Sequence, residues 1–145
     1  MIQRVSQAQV SVEQEVVGSI EKGLCVLLCA MERDEEADLE WVLKKCLGIR
    51  IFSDENNKMN LSLKDVNGSL LVVSQFTLAA STKKGNRPSF GRSLEPQRAK
   101  EMVDEFVKRA STEVSVATGI FAADMNVSLV NDGPVTIYID SQLKE

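Results

Sequence analysis

Histidine is absent from this 145-residue chain. Its absence removes the commonest general base, the commonest metal ligand and every Ser-His or Cys-His dyad. Any catalysis must therefore proceed without imidazole. Cysteine is sparse: Cys25, Cys29 and Cys46 form no CxxC pair. An odd count without a secretion signal points to reduced, buried thiols rather than disulfides. The longest apolar run, Leu24 to Met31, is far too short to cross a bilayer. Residues 1–12 alternate polar with apolar and lack the basic start, apolar core and cleavage site of a secretory signal, so a cytoplasmic location is expected. There is no repeat, low-complexity tract or domain linker, and neither GxxxxGK nor GxGxxG occurs. Nucleotide-cofactor chemistry is unsupported. No residues show metal-ligand spacing, so neither a metal nor a cofactor is expected.

What remains is an ordinary globular composition, 43% hydrophobic and 26% charged. A single domain over residues 1–145 is expected, large enough to bury roughly two-thirds of the surface of its unfolded chain. The net charge of −4 means that no long-range field draws the whole molecule to nucleic acid. One local patch runs the other way. Lys83-Lys84-Gly85-Asn86-Arg87-Pro88-Ser89-Phe90-Gly91-Arg92 carries four cations in ten residues and no acid, and reads either as a solvated loop or as a phosphate contact.

Alternation of Ile2, Val5, Val10 and Val12 predicts a strand over 2–12, paired with 15–20 across a polar turn at Glu13-Gln14, followed by a buried strand from Leu24 to Met31. From Asp34 to Gly48 helical spacing of Leu39, Val42, Leu43, Cys46 and Leu47 predicts a helix, with acids leading, Lys44-Lys45 closing and Gly48 as a candidate cap. Short strands are expected at Ile49–Phe52 and Met59–Leu63. Asn67-Gly68 is a hairpin signal ahead of Ser69–Leu78. A second helix starts at Pro96, which suits the first helical position, and presents Ala99, Met102, Val103, Phe106, Val107 and Ala110 on one face. Strands at Val114–Thr118, Met125–Val130 and Val135–Ile139 complete an α+β fold, largely antiparallel, with two main helices covering the sheet.

Two stretches stand out chemically. After the apolar Leu70 to Val73 come Ser74-Gln75-Phe76-Thr77, small and polar groups able to line a pocket at a sheet edge; without a base, neither hydroxyl is an activated nucleophile. At Asn131-Asp132-Gly133-Pro134 good strand sequence breaks and then resumes. That break reads either as a turn or as a rigid backbone edge that contacts a ligand through carbonyl oxygens.

Ser74-Gln75-Phe76-Thr77-Leu78, Arg87-Pro88-Ser89-Phe90 and Asn131-Asp132-Gly133-Pro134-Val135-Thr136 resemble the signature segments of the D-aminoacyl-tRNA deacylases, editing enzymes that release D-amino acids from mischarged tRNA. Ile2-Gln3-Arg4-Val5 and Thr118-Gly119-Ile120-Phe121-Ala122-Ala123-Asp124-Met125 are similar too, so the resemblance runs nearly end to end. It implies a barrel-like fold and a homodimer in which a cis Gly133-Pro134 reaches into the partner's pocket around Ser74, Gln75, Phe76 and Thr77. There its carbonyls would hold the substrate's ammonium and leave no room for an L side chain. The resemblance further implies that Arg4 braces this motif, that Asn131 belongs to the substrate site, and that Phe121 and Met125 face the terminal adenosine, with core packing as their other reading. The 2′-hydroxyl of that adenosine is implied to assist water, while Phe76 and Thr77 N–H groups hold the oxyanion; Thr77 as covalent nucleophile is the competing mechanism. Lys83, Lys84, Arg87 and Arg92 become candidate tRNA contacts. The partner implied is aminoacyl-tRNA, and glycyl-tRNA is an expected substrate, including glycine mischarged on the alanine tRNA. A nucleic-acid-binding module without turnover and a dimeric interaction protein are the alternatives.

Overall fold

The computed structural model describes residues 1–144. Strand β1 (Ile2–Val12) is the hub of the sheet. It turns at Glu13-Gln14, both with positive φ, into the antiparallel β2 (Glu15–Ile20). The first residues of β1 pair antiparallel with β3 (Gly23–Leu28), Arg4 lying opposite Leu24. Helix α1 (Glu36–Gly48) follows, then a small ribbon of β4 (Phe52–Ser53) and β5 (Met59–Leu61). Next come β6 (Ser69–Ser74), a 3-10 turn at Phe76–Ala79, helix α2 (Pro96–Ala110), β7 (Val116–Thr118) and β8 (Asn126–Ile137). The sheet order is β2-β1-β3-β6-β7, with β8 on the other edge of β1. A Cβ on Gly18 of β2 would collide with the Thr118 carbonyl of β7, so the two ends of the sheet nearly meet and the whole is barrel-like.

The α+β architecture, the two helices and the mostly antiparallel pairing are as expected, and the sheet also has a parallel part. β6 runs parallel to both β3 and β7. The physical reason lies in the apolar runs Leu24-Cys25-Val26 and Leu70-Leu71-Val72-Val73, which are buried on both faces, as parallel strands with helical crossovers require. Alternate residues serve opposite sides. Leu24, Val26, Leu70 and Val72 pack under Phe106, Val103 and Leu43 of the helices, whereas Cys25, Leu71 and Val73 join Val5, Ala8 and Val10 in a second cluster. Because β6 pairs parallel with β3, Asn67-Gly68 makes no hairpin: Asn67 takes positive φ and Gly68 N–H donates to Leu63 O in a connection to β6.

Element boundaries shift for local reasons. α2 begins with Pro96 at its first position, and the Glu95 carboxylate accepts from the N–H groups of Gln97 and Arg98. α1 closes at Gly48, yet the residue beyond it, Ile49, is extended, so Gly48 ends the helix without a left-handed cap. β3 stops at Leu28 and β6 at Ser74, before the polar segments that follow each. The two strands expected on either side of Gly133-Pro134 are one continuous strand, β8, that bulges there.

Candidate active site

Parallel pairing ends with Ser74 opposite Leu28, and the Gln75 N–H extends it by donating to Leu28 O at 2.8 Å. The chain then tightens into the 3-10 turn, where Leu78 N–H donates to Gln75 O at 3.2 Å and Ala80 N–H to Thr77 O at 3.1 Å. The first N–H groups of a helical turn have no acceptor within it. Among the described residues, those of Phe76 and Thr77 donate to no protein acceptor outside the turn. They are two adjacent, uncommitted donors. The Gln75 side-chain amide donates to the Thr77 hydroxyl, and among the described residues no base contacts that hydroxyl. Phe76, 57% exposed, meets the edge of Phe90 with ring centroids 5.1 Å apart. Beneath the turn, the Cys29 thiol lies 3.8 Å from Phe76 O; burial pushes its pKa up, and Asp34 adds to that, so it stays protonated.

The bulge is built differently. From Val5 to Gln3 β1 takes two steps, while β8 takes five from Asn131 to Thr136, which pushes Asp132, Gly133 and Pro134 out of register. The Gly133–Pro134 peptide bond is cis, and Gly133 has φ of 150°, where a Cβ would lie 2.7 Å from the Val135 nitrogen. Three side chains hold the bulge. Asn131 Oδ1 accepts from Val135 N–H at 2.7 Å, and its Nδ2 donates to Val135 O at 3.3 Å and to Thr136 Oγ1 at 3.0 Å. Arg4, only 9% exposed, donates from Nε to Asp132 O at 2.8 Å and from Nη1 to Ile51 O. Val135 plugs into the helix-side core. Asp132, Gly133 and Pro134 themselves are exposed.

Within one protomer the turn and the bulge are apart. β8 and β6 are separated by β1 and β3, and the bulge sits near Leu24 while the turn follows Leu28. Strand spacing and rise then place them roughly 15–20 Å from each other. The structure brings together Ser74, Gln75, Phe76 and Thr77 in one group and Arg4, Asn131, Gly133 and Pro134 in another.

The remaining expected residues divide. Phe121 is half-buried in the connection from β7 to β8, where Ala122 takes positive φ. Met125 packs on the second core cluster, and its sulfur occupies the space that a Cβ on Gly119 would need. Lys83, Lys84 and Arg87 are exposed in a hairpin closed by mutual N–H to carbonyl bonds between Ser81 and Ser89, at 2.8 and 2.9 Å. Arg92 is exposed too, and its guanidinium also reaches the carbonyls of Ala79 and Ala80. Sequence reasoning did not single out Ile51 as a partner of Arg4, and no local pattern marks it. Phe90 belongs to the Arg87-Pro88-Ser89-Phe90 segment, but nothing in the sequence pattern marks it as a contact of Phe76. A cavity of about 120 Å³ opens on the helix side, lined by Leu28, Cys29, Leu78, Met102, Phe106 and Tyr138, among others, but by none of Ser74 to Thr77 or Gly133-Pro134. Among the described residues, no group of three or more Cys, Asp or Glu side chains is arranged to hold a metal ion.

The D-Tyr-tRNA(Tyr) deacylase family profile matches residues 1–140. A D-aminoacyl-tRNA deacylase of Kosmotoga olearia is 54% identical over 142 residues, covering 98% of this chain and 96% of that protein. One from Flavobacterium psychrophilum is 52% identical over 147 residues, covering 100% and 98%. Among solved structures, a c-Myc DNA unwinding element binding protein superposes with a TM-score of 0.91 at 36% identity, covering 96% of this chain and 95% of that one. A probable eukaryotic D-amino acid tRNA deacylase, 18% identical, shares the fold with a TM-score of 0.75 over 92% and 93% of the two chains. The chain belongs to the D-Tyr-tRNA(Tyr) deacylase family.

Proposed function

We propose that this protein is a D-aminoacyl-tRNA deacylase, an ester hydrolase that frees tRNA and the D-amino acid, and that it works as a homodimer with each active site shared between subunits. The observation that carries the shared site is the separation of turn and bulge within one protomer. Each is half of a site: the turn offers donors for a developing oxyanion, and the bulge offers exposed carbonyls for an ammonium. A second copy that places its bulge over the turn completes the pocket. With ammonium and ester carbonyl both held, Cα has two positions left. A D side chain points out of the pocket and an L side chain meets the Gly133-Pro134 backbone.

Rejection by collision needs no favourable contact with the accepted side chain, so many D-residues are substrates. Excluding L-substrates about ten-thousandfold takes about 5.5 kcal/mol. A flexible side-chain wall would yield for less. The bulge is tied by the Arg4 and Asn131 hydrogen bonds, which supports its use as a wall. Glycine has nothing to collide, so glycyl-tRNA is cleaved as well, including glycine mischarged on the alanine tRNA. In the chemical step, water adds to the ester carbonyl and the Phe76 and Thr77 N–H groups stabilise the oxyanion; the neighbouring 2′-hydroxyl of the terminal ribose assists by relaying the water's proton to the ester oxygen as the acyl C–O bond breaks, freeing the tRNA hydroxyl and the amino acid, since among the described residues no base contacts the turn. Lys83, Lys84 and Arg87 meet tRNA phosphates, and Phe121 with Met125 borders the terminal adenosine.

The test is to incubate the protein with matched D- and L-aminoacyl-tRNA and follow ester loss. The expected result is release of the D-form with the L-form intact. Binding without release would instead assign a nucleic-acid-binding module on this fold, and neither would assign an interaction protein.

A further inference from the structure

We propose that Phe90 and Arg92 are positioning residues that clamp the 3-10 turn Phe76–Ala79 at its two ends, and that Arg92 acts there rather than as a tRNA phosphate contact. The inference rests on the deacylase reading of the turn.

Residues 90–94 form a rail fixed to the segment after β3. Glu32 N–H donates to Arg92 O and Leu94 N–H to Ala30 O, each at 2.9 Å, and Met31 and Ser93 form an antiparallel bridge. Ser93 adds a tie of its own, with both its N–H and its hydroxyl donating to Phe90 O at 3.0 and 2.8 Å. From this rail two side chains reach the turn. The Phe90 ring packs edge-on against Phe76 at the end that carries the free N–H groups. Arg92 Nη2 donates to Ala79 O and Ala80 O, both at 3.4 Å, at the opposite end. A cation there faces the carbonyl end of a helical turn, the end that favours positive charge. Each bond is long, but the one guanidinium spans two successive carbonyls and the ring fixes the other end. Rotation of the turn, which would swing the Phe76 and Thr77 donors off the oxyanion, must break one or the other.

The basic hairpin departs after Ala80 and returns at Phe90, so it lies between the two attachments. Among the described residues its cations contact no protein acceptor, whereas Arg92, although solvent-exposed as well, has its Nη2 engaged by the two carbonyls of the turn. A phosphate contact and a clamp make opposite kinetic predictions. Losing a phosphate contact raises KM for tRNA and lowers the salt slope by about 1. Losing a clamp lowers kcat, because misplacing reacting groups by about 1 Å can cost up to about a hundredfold.

The experiment measures kcat, KM and the salt dependence of KM for Arg92→Gln, Arg92→Lys and Phe90→Leu on D-aminoacyl-tRNA, with amide hydrogen exchange of residues 76–80 in parallel. Expected are a kcat lowered about tenfold in Arg92→Gln, KM within about twofold, an unchanged salt slope, partial recovery in Arg92→Lys and a lowered kcat in Phe90→Leu. Faster exchange at the turn in Arg92→Gln accompanies them. An increased KM with a flattened salt slope and unaltered kcat overturns the clamp in favour of a phosphate contact. Unchanged exchange at the turn also overturns it, and that readout needs no activity. A wild-type protein that releases no ester stereoselectively would sink the deacylase reading instead, leaving the exchange data to judge the clamp.

Discussion

The buried Arg4 guanidinium donates to the carbonyl of Asp132, the residue directly before Gly133, across 128 positions of sequence. The same side chain also satisfies the Ile51 carbonyl. One residue on β1 therefore ties the bulge of β8 to the ribbon side of the fold. A buried carbonyl left without a donor costs about 1–3 kcal/mol, which applies in full to Ile51 and less to the exposed Asp132. Arg4→Met should lower stability by a few kcal/mol and let the bulge relax. Its ratio of D- to L-aminoacyl-tRNA cleavage should fall at least about tenfold, equivalent to about 1.4 kcal/mol of discrimination. Unchanged stereoselectivity in a folded variant would show that the bulge does not depend on this brace.

A site shared between two copies has a signature that no single-subunit site can imitate. A turn variant, Thr77→Pro, removes one of the free N–H donors, and a bulge variant, Gly133→Val, fills the wall. Each homodimer is expected to be inactive. Mixed after co-expression, half the dimers pair one variant with the other, and each such dimer contains one site built wholly from intact halves. Activity should return to about a quarter of wild type. No recovery on mixing would place both halves in one subunit.

The attack should depend on the ribose rather than on the Thr77 hydroxyl. Thr77→Ala keeps the backbone N–H, so deacylation is expected to stay within about tenfold of wild type, whereas a 2′-deoxy terminal adenosine should abolish it. The reverse pattern would make Thr77 the nucleophile.

Lys83 and Lys84 are exposed on the hairpin tip side of Ser81 and Ser89. Replacing both by Ala should weaken tRNA binding at low salt and reduce the slope of log K against log salt by about 2, with kcat retained. Filter binding across a salt series measures this directly.

Asp34 makes a pH-dependent contribution whose sign is opposite to that of a paired carboxylate. Burial, with the charges of Asp38 and Asp140 adding to it, raises its pKa above 3.8, although its Oδ2 accepts from Met31 N–H. The folded state then holds the proton more tightly than the unfolded one. Stability falls as pH rises from about 3.8 through the raised folded value, and stays lower above it. Asp34→Asn keeps an acceptor for Met31 and carries no charge. Its melting temperature should exceed wild type at pH 7, with the gap closing as pH approaches 3.8. A gap that is the same at both pH values would contradict the burial account.

Much of this fold could be read from the chain, and the parts that could not share a cause. α2 was legible to the residue at its start because Pro96 and the apolar face from Ala99 to Ala110 are local signals. The Glu13-Gln14 turn was legible for the same reason. The direction in which β6 meets β3 was not, because parallel pairing is decided by what covers both faces, although the uninterrupted Leu70 to Val73 run carried a hint. Asn67-Gly68 misled through a local preference that the long-range pairing overrode. At the site, the motif residues were conspicuous individually. What they touch was not: Arg4 with Ile51, Phe76 with Phe90 and Arg92 with Ala79 are all contacts between segments that no periodicity connects.

The Asn131 carboxamide faces Val135 with its oxygen toward an N–H and its nitrogen toward a carbonyl, standing in for the peptide group that the bulge displaces. Exchange of one atom, nitrogen for oxygen, is what spontaneous deamidation does. An aged molecule would carry a negative oxygen against the Val135 carbonyl, and the Thr136 hydroxyl would have to donate where it now accepts. Were the bulge to serve as the proposed wall, its selectivity would have a shelf life set by the slow chemistry of a single amide.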